Sequence, residues 1–328
     1  MTFKVNWEKT NQTVQIKPDD LFAMVKLAYP NHTLLAHNLI SGGCANINVR
    51  IQLSEESHPL ILRIYLRDQD SVYKEQNIAN LIGDTIPIPK LFFIGDWKKY
   101  RFAITEYKRG ITLRDLLLKQ GFEVAKEVLI EIGLALASLQ KYHFSSSGFF
   151  NRNLDVTTPI SQNDYVNFTM ESLEYPTTKA NVNKKTISKL KAHVMNSKSL
   201  FPDETIKHLV HGDFGPENIL IEKREGQWKL STVLDWEFAF SGSSLCDVAN
   251  MLRYSHQLPP IFKDSFLEGV KQGGLKLPKN WQARIALLNL LSLLDCLNRC
   301  PIKNRPNQCA DICDLIAHIT QQLELNVS

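Results

Sequence analysis

Residues 209–220 have the sequence LVHGDFGPENIL, in which two apolar stretches enclose a polar segment that contains Asp213 and Asn218. The apolar stretches at the two ends are typical of short strands, whereas the Gly and Pro residues between them favour a loop. We therefore predict a polar loop that opens directly into a strand at Ile219.

The spacing of Asp213 and Asn218 is consistent with phosphoryl-transfer chemistry. An Asp and an Asn on one loop can serve a single phosphoryl-transfer site, where the Asp meets an acceptor hydroxyl and the Asn carbonyl binds a metal ion. A second polar motif, Asp235-Trp236-Glu237, follows an apolar strand, and the residues between Asn218 and Asp235 have the pattern of a β-hairpin. A hairpin would return Asp235 to the side of Asn218. Their oxygen atoms could then share Mg²⁺ ions, which prefer hard oxygen ligands.

Upstream of this region, short apolar runs alternate with turns, and one stretch has helical spacing. The helix is predicted at Ser71 to Leu81, before the Pro87-Ile88-Pro89 segment. We predict five strands, at Leu34 to Ile40, Ile47 to Leu53, Leu60 to Leu66, Leu91 to Ile94 and Phe102 to Tyr107.

After Gly110 the pattern changes to helical periodicity, and strand signals shrink to the hairpin at Ile219 to Leu234. Residues 145–201 are polar and weakly periodic, which indicates an insertion of irregular loops and short helices. We predict an α+β fold with two lobes. Residues 1–107 would form a small β-rich N-terminal lobe that binds nucleotide, and residues 108–328 a larger, mostly helical lobe that carries the catalytic loop, metal motif and acceptor pocket.

Together, these motifs resemble those of the aminoglycoside phosphotransferase and choline kinase-like enzymes, relatives of protein kinases. The resemblance implies a protein-kinase-like fold and a kinase that transfers the γ-phosphoryl group of magnesium-bound ATP or GTP to a hydroxyl of a small molecule. It also implies that Asp213 is the catalytic residue, that Asn218 and Asp235 bind the metal, and that Asp247 supports the catalytic loop.

The resemblance extends upstream to residues that would bind the nucleotide. Ser41 to Asn46 resembles a nucleotide loop, in which small residues let backbone N–H groups approach phosphates. Arg63 stands where the family places its phosphate-contacting cation, and Glu75 is placed to hold it, although an exposed strand Arg and a surface Glu stay open as alternatives. Thr105 to Lys108 resembles the linker between the lobes. The predicted nucleotide-binding residues are Gly42, Gly43, Asn46, Arg63, Glu75, Glu106 and Lys108.

Two other functions compete with this one. A pseudokinase scaffold would usually lack the catalytic Asp or a metal ligand, and this chain has Asp213, Asn218 and Asp235. An atypical protein kinase is disfavoured by Gly212, where protein kinases have Arg, and by Asp235-Trp236-Glu237 in place of Asp-Phe-Gly. The motifs choose neither the acceptor nor the oligomeric state.

Composition excludes several classes of protein. The net charge of +4 is spread over the chain, which gives little support for nucleic-acid binding. The first ten residues lack the apolar core of a signal peptide, and the longest apolar stretch, Ile285 to Leu294, is too short to cross a membrane. We therefore expect a cytoplasmic protein without a membrane segment.

Four of the six cysteines form two pairs with equal spacing, Cys296 with Cys300 and Cys309 with Cys313. On two helices this spacing would place each pair on one face. A zinc site, two disulfides and buried free thiols all stay open at this point.

Overall fold

The N-terminal part of the chain is an antiparallel sheet with two helices. The computed structural model describes residues 3–8, 16–40, 46–300 and 302–325. The sheet has the strand order β1-β2-β3-β5-β4. Its elements are α1 (Pro18–Ala28), β1 (Leu34–Ile40), β2 (Asn46–Leu53), β3 (Leu60–Tyr65), α2 (Ser71–Ile82), β4 (Leu91–Trp97) and β5 (Tyr100–Glu106).

Strand β3 lies at the centre of this sheet and carries Arg63, which is paired with Asn48 on β2 and Ala103 on β5. The alternation of side chains along β3 buries Leu62 and Ile64 in the core and turns Arg63 to the opposite face. Because α2 follows β3 after a short turn, Glu75 comes to the same face as Arg63. The five predicted strands and helix α2 are confirmed.

Helix α1 is an addition to the predicted architecture. Its apolar residues Leu21, Met24 and Val25 recur at helical spacing and are buried against the sheet, together with Ile51 and Phe102. The prediction of strands and one helix for the first hundred residues was therefore incomplete. A single short amphipathic stretch before the first strand contributes this helix.

The C-terminal part is mostly helical, as predicted, and begins with a short strand that follows Gly110. Its elements are β6 (Ile111–Thr112), α3 (Leu113–Gln120), α4 (Lys126–Ser138), β7 (Gly148–Phe150), β8 (Val156–Pro159), α5 (Gln162–Glu174), α6 (Pro176–Asn181), α7 (Lys184–Asn196), β9 (His208–Val210), β10 (Ile219–Arg224), β11 (Gln227–Val233), β12 (Phe240–Gly242), α8 (Leu245–Leu252), α9 (Pro260–Gln272), α10 (Trp281–Asn298) and α11 (Pro306–Leu325).

Two small antiparallel sheets position the loops of this part. The predicted hairpin is β10–β11, and β6 adds to its edge; β8, β7, β12 and β9 form the second sheet in that order. The sequence prediction allowed only the hairpin, because strands of two to four residues are too short to show a period of two. The segment 145–201 is also more regular than predicted. It holds α5 and α7, each thirteen residues long.

Within the described ranges, no helix is both long enough and apolar enough to cross a membrane. The five cysteines in those ranges are free thiols, and no group of three or more His, Cys, Asp or Glu residues there is arranged to hold a metal ion. The thiols of Cys309 and Cys313 both lie near Asn181 at the end of α6. The zinc site and the disulfides therefore gain no support from this part of the chain.

Candidate active site

The loop between β9 and β10 holds Asp213 and Asn218 side by side. The Asn218 amide donates hydrogen bonds to both the backbone carbonyl and the side chain Oδ2 of Asp213, each 2.9 Å long. Burial alone would raise the pKa of Asp213, but the neighbouring charges of Lys4 and Arg253 bring it below the ordinary value. These charges therefore favour the ionised form of Asp213.

The loop is supported from beneath by Asp247, near the start of α8. Its two carboxylate oxygens accept hydrogen bonds from the backbone N–H groups of His211 (2.8 Å) and Gly212 (2.9 Å). The Asn250 amide donates to the carbonyl of Gly212. Burial raises the pKa of Asp247 to about 7, against the effect of the two N–H donors. Asp247 contacts the backbone of the loop, as the resemblance implied.

The imidazole of His211 is fully buried and links this loop to the second motif. Its Nε2 lies 2.8 Å from the carbonyl oxygen of Leu234, and its ring packs against Trp236. Burial lowers the pKa of His211, which favours the neutral ring. The side chain therefore joins the two loops by packing and hydrogen bonding.

The β10–β11 hairpin brings the chain back to Asn218. Leu234 pairs with Asn218, and Asp235 follows Leu234 directly. The backbone N–H of Leu234 donates to the carbonyl of Asn218 at 2.8 Å. Asp235 has a positive φ of 66°, which is uncommon for a residue other than Gly and is found in functional loops. The local backbone thus places Asp235 at the end of the hairpin, close to the loop of Asp213.

Arg63 is the centre of an ion-pair cluster that joins the sheet to this motif. Its Nη2 lies 2.6 Å from Oδ1 of Asp235, 3.2 Å from Oε1 of Glu75 and 3.9 Å from Oε2 of Glu237. The Tyr65 hydroxyl donates to the other oxygen of Glu75 at 2.7 Å. Arg63 and Glu75 are therefore partners in a partly enclosed site, and the alternative of an exposed strand Arg and a surface Glu is excluded.

The cluster contains three carboxylates and one guanidinium, so negative charge is in excess. Burial, and then the charge of Asp235, raises the pKa of Glu237 to about 7. Oε1 of Glu237 is buried and has no hydrogen-bond partner among the described residues. A divalent cation would relieve this excess, and the carboxylate and amide oxygens of Asp235 and Asn218 are suitable ligands for Mg²⁺. The residues present fit such an ion.

The other residues predicted to bind nucleotide differ in burial and in the partners that they contact. Asn46 is buried, and its amide donates to Glu237 at 3.1 Å while its oxygen accepts the N–H of Leu66. Glu106 and Lys108 form an ion pair with each other at 2.8 Å, at the end of β5. The predicted Gly42 and Gly43 lie outside the described residues.

Most of the described site residues face one cavity of about 1370 Å³. Its lining includes Arg63, Glu106, Lys108, Asp213, Asn218 and Asp235, but not Asn46. On the far side, segment 145–201 and helix α10 contribute walls, among them Phe168 and Asp295. The carboxylate of Asp295 is held at this wall by an ion pair with Arg299.

Lys4 and Glu217 also line this cavity and were absent from the predicted site residues. Lys4 forms an ion pair with Glu217 and lies with its Nζ 3.5 Å from Oδ1 of Asp213. Glu217 belongs to the LVHGDFGPENIL stretch, so its proximity could have been inferred from that motif. Lys4 is 209 positions away from Asp213, and no local pattern points to it.

Comparison with known proteins agrees with this architecture. Residues 37–284 match the phosphotransferase enzyme family known as APH. The chain is 25% identical over 186 residues to the hygromycin-B 4-O-kinase of Escherichia coli, a match that covers 56% of this chain and 52% of that protein. The chain thus spans about half the length of this curated relative.

Solved structures show the same fold. The crystal structure of aminoglycoside phosphotransferase APH(4)-Ia superposes with a TM-score of 0.73 at 18% identity, over 93% of this chain and 99% of that one. Aminoglycoside 2'-phosphotransferase-IIIa, in its GDP complex, gives a TM-score of 0.66 at 12% identity, over 94% and 99% of the two chains. The predicted two-lobed, kinase-like fold is therefore confirmed. Since the family match covers most of its length, the chain belongs to the phosphotransferase enzyme family.

Proposed function

We propose that this protein is a small-molecule kinase that transfers the γ-phosphoryl group of magnesium-bound ATP or GTP to a hydroxyl of a small acceptor. The observation that carries the proposal is the pairing of Asp213 with Asn218 on one wall of a cavity that Asp235 and Arg63 also line. Related structures support a nucleotide co-substrate, since they hold AMP-PNP with hygromycin B, or GDP.

In this proposal each side chain has one task. The ionised carboxylate of Asp213 accepts the proton of the acceptor hydroxyl in a hydrogen bond and orients its oxygen for in-line attack. Arg63, fixed by Glu75, steadies the nucleotide phosphates. Asn218 and Asp235 would hold Mg²⁺, which when bound neutralises charge on the phosphates. Catalysis then rests mainly on positioning and charge neutralisation, because phosphoryl transfer needs little covalent help.

The proposed nucleotide and acceptor sides follow from the same cavity. Residues 1–107 would form the nucleotide lobe, with Glu106 and Lys108 in the linker beside the base. Gly42, Gly43 and Asn46 would complete the nucleotide loop; the contact of Asn46 with Glu237 indicates that Asn46 acts through that carboxylate. Residues 108–328 would supply the catalytic loop and the acceptor walls.

The test is nucleotide consumption by the purified protein with Mg²⁺ across amino-alcohols, sugars, nucleosides and aminoglycosides. Replacing Asp213 by Ala should lower kcat by about 10²–10⁴-fold, the usual contribution of a positioned base, while leaving nucleotide affinity nearly unchanged. The matched control is Asp264→Ala, on the exposed face of α9. An Asp213→Ala protein with normal turnover would refute the assignment, and bound nucleotide without any consumption would favour the pseudokinase alternative.

A further inference from the structure

The N-terminal segment, residues 3–8, is docked on the helical part of the protein rather than on the sheet. The ring of Phe3 is 1% exposed and packs against Tyr254, with ring centroids 5.6 Å apart, and against Phe262, at 6.1 Å. The carbonyl of Phe3 accepts a hydrogen bond from Arg114 at 3.4 Å. A buried aromatic side chain with these contacts anchors the start of the segment.

Polar contacts anchor the other end of the N-terminal segment. The indole N–H of Trp7 donates to Oδ2 of Asp311 at 2.8 Å. The carboxylate of Glu8 accepts the backbone N–H groups of Asn307 (2.8 Å) and Gln308 (3.2 Å), in the first turn of α11. A carboxylate at this end of a helix is favoured by the unpaired N–H groups and by the helix dipole. The segment is therefore held on both sides of Lys4.

Lys4 extends from this anchored segment to the catalytic loop. Its ammonium contacts Oε1 of Glu217 and lies 3.5 Å from Oδ1 of Asp213. The side chains of Lys4 and Glu217 are only 18% and 16% exposed, so solvent screens their charges weakly. One ammonium is thus enclosed by two carboxylates at the point where an acceptor must arrive.

The acceptor positions that remain on Asp213 suit a neutral hydroxyl better than a second cation. An ionised carboxylate has about four acceptor positions. On Asp213, Asn218 uses one at Oδ2 and Lys4 uses one at Oδ1, so a neutral hydroxyl can still bind. A cationic amino group brought to the same place would meet the charge of Lys4 and find both carboxylates already paired.

We propose that Asp213 and Glu217 form an ammonium site that Lys4 fills, and that Lys4 thereby selects neutral hydroxyl acceptors over acceptors with an amino group at this position. The selectivity part of this inference rests on the proposed kinase function; the ammonium site does not. Lys4 determines specificity here.

A binding measurement tests the ammonium site without any need for catalysis. Replacing Lys4 by Ala removes a three-carbon ammonium chain, which n-propylammonium can replace. Its affinity, measured by calorimetry, should be about tenfold or more higher for Lys4→Ala than for the wild type, and the further change Glu217→Gln should reverse the gain. Equal affinity for the wild type and for a Lys4→Ala protein with a normal unfolding temperature would overturn the inference.

Matched acceptor pairs test the selectivity. The ratio of kcat/KM for glucosamine over glucose, or for 2-aminoethanol over 1,2-ethanediol, should rise about tenfold or more in Lys4→Ala and stay at the wild-type value in Lys4→Arg. Equal gains in kcat/KM for both members of a pair would mean that the N-terminal segment obstructs every acceptor alike, which contradicts the proposal. If neither protein transfers phosphate to any acceptor, the kinase function fails, while the propylammonium measurement still decides the ammonium site.

Discussion

Replacing Gly212 by Ala should displace the loop of Asp213, because the added methyl group would clash with the backbone of Phe238. Gly212 has a φ of +85°, and a Cβ at this position would lie 2.4 Å from the carbonyl oxygen of Phe238. Phe238 ends the short helical turn that follows Asp235. A methyl group would therefore push the loop of Asp213 away from the motif of Asp235.

The cost of this change has two parts. The left-handed backbone costs an Ala about 1–2 kcal/mol relative to Gly. Because backbone carbonyls cannot move aside as a side chain can, the contact with Phe238 adds a further cost of about 1–3 kcal/mol, as in other overpacked sites. A displacement of about 1 Å at a catalytic group can lower turnover about 10²-fold. We expect that loss in kcat for Gly212→Ala.

Gly274→Ala is the matched control, since Gly274 has a φ of +86° and nothing lies within 4 Å of the point where the added methyl group would stand. Both variants bear the backbone strain, and only Gly212→Ala bears the contact. Urea unfolding should show a larger loss of stability for Gly212→Ala, and steady-state assays should show a loss of kcat for that variant alone. The reasoning is refuted if the two variants have the same stability and turnover.

Three further changes address the groups around this loop. Asp247→Ala leaves the backbone N–H groups of His211 and Gly212 without this acceptor, and because the first of them is buried the free energy of unfolding should fall by about 1–3 kcal/mol; a wild-type urea midpoint would contradict this. Arg63→Met removes the cation that we propose to steady the phosphates and should raise the nucleotide KM about 10- to 100-fold, as expected for hydrogen bonds to charged groups. The exposed Arg224→Met should leave KM unchanged, and equal values for the two variants would count against the assignment. Asn218→Ala should raise the Mg²⁺ concentration needed for half-maximal activity, and an unchanged magnesium titration would exclude Asn218 as a ligand.

The part of the site that could be predicted from the sequence lies within one continuous loop and hairpin. Asp213 and Asn218 are on the same loop, and antiparallel pairing of β10 with β11 returns Asp235 to the position beside them. Turn residues and strand periodicity fix that register locally. The family resemblance added Arg63 and Glu75, whose order along β3 and α2 matches the family pattern. The roles of all these residues stay predictions.

The elements that the sequence analysis did not predict were missed for different physical reasons. Strands such as β7 and β12 have three residues each, so no alternation can show, and they exist because neighbouring strands complete their hydrogen bonds. Helix α5 was hidden because polar residues interrupt its apolar face. Its N-terminus is nevertheless marked by a capping box between Ser161 and Asp164, a local signal that the composition of the segment obscured.

Lys4 illustrates a limit of another kind. Its neighbours Phe3 and Trp7 would suit any apolar surface, and the surface they occupy is assembled from Tyr254, Phe262 and Asp311 on three separate segments of the chain. Such a contact depends on the complete tertiary fold, so no motif in either partner can record it. Since the same fold brings Lys4 to the loop of Asp213, the proposed acceptor selection would be set by a residue outside every motif that identifies the family.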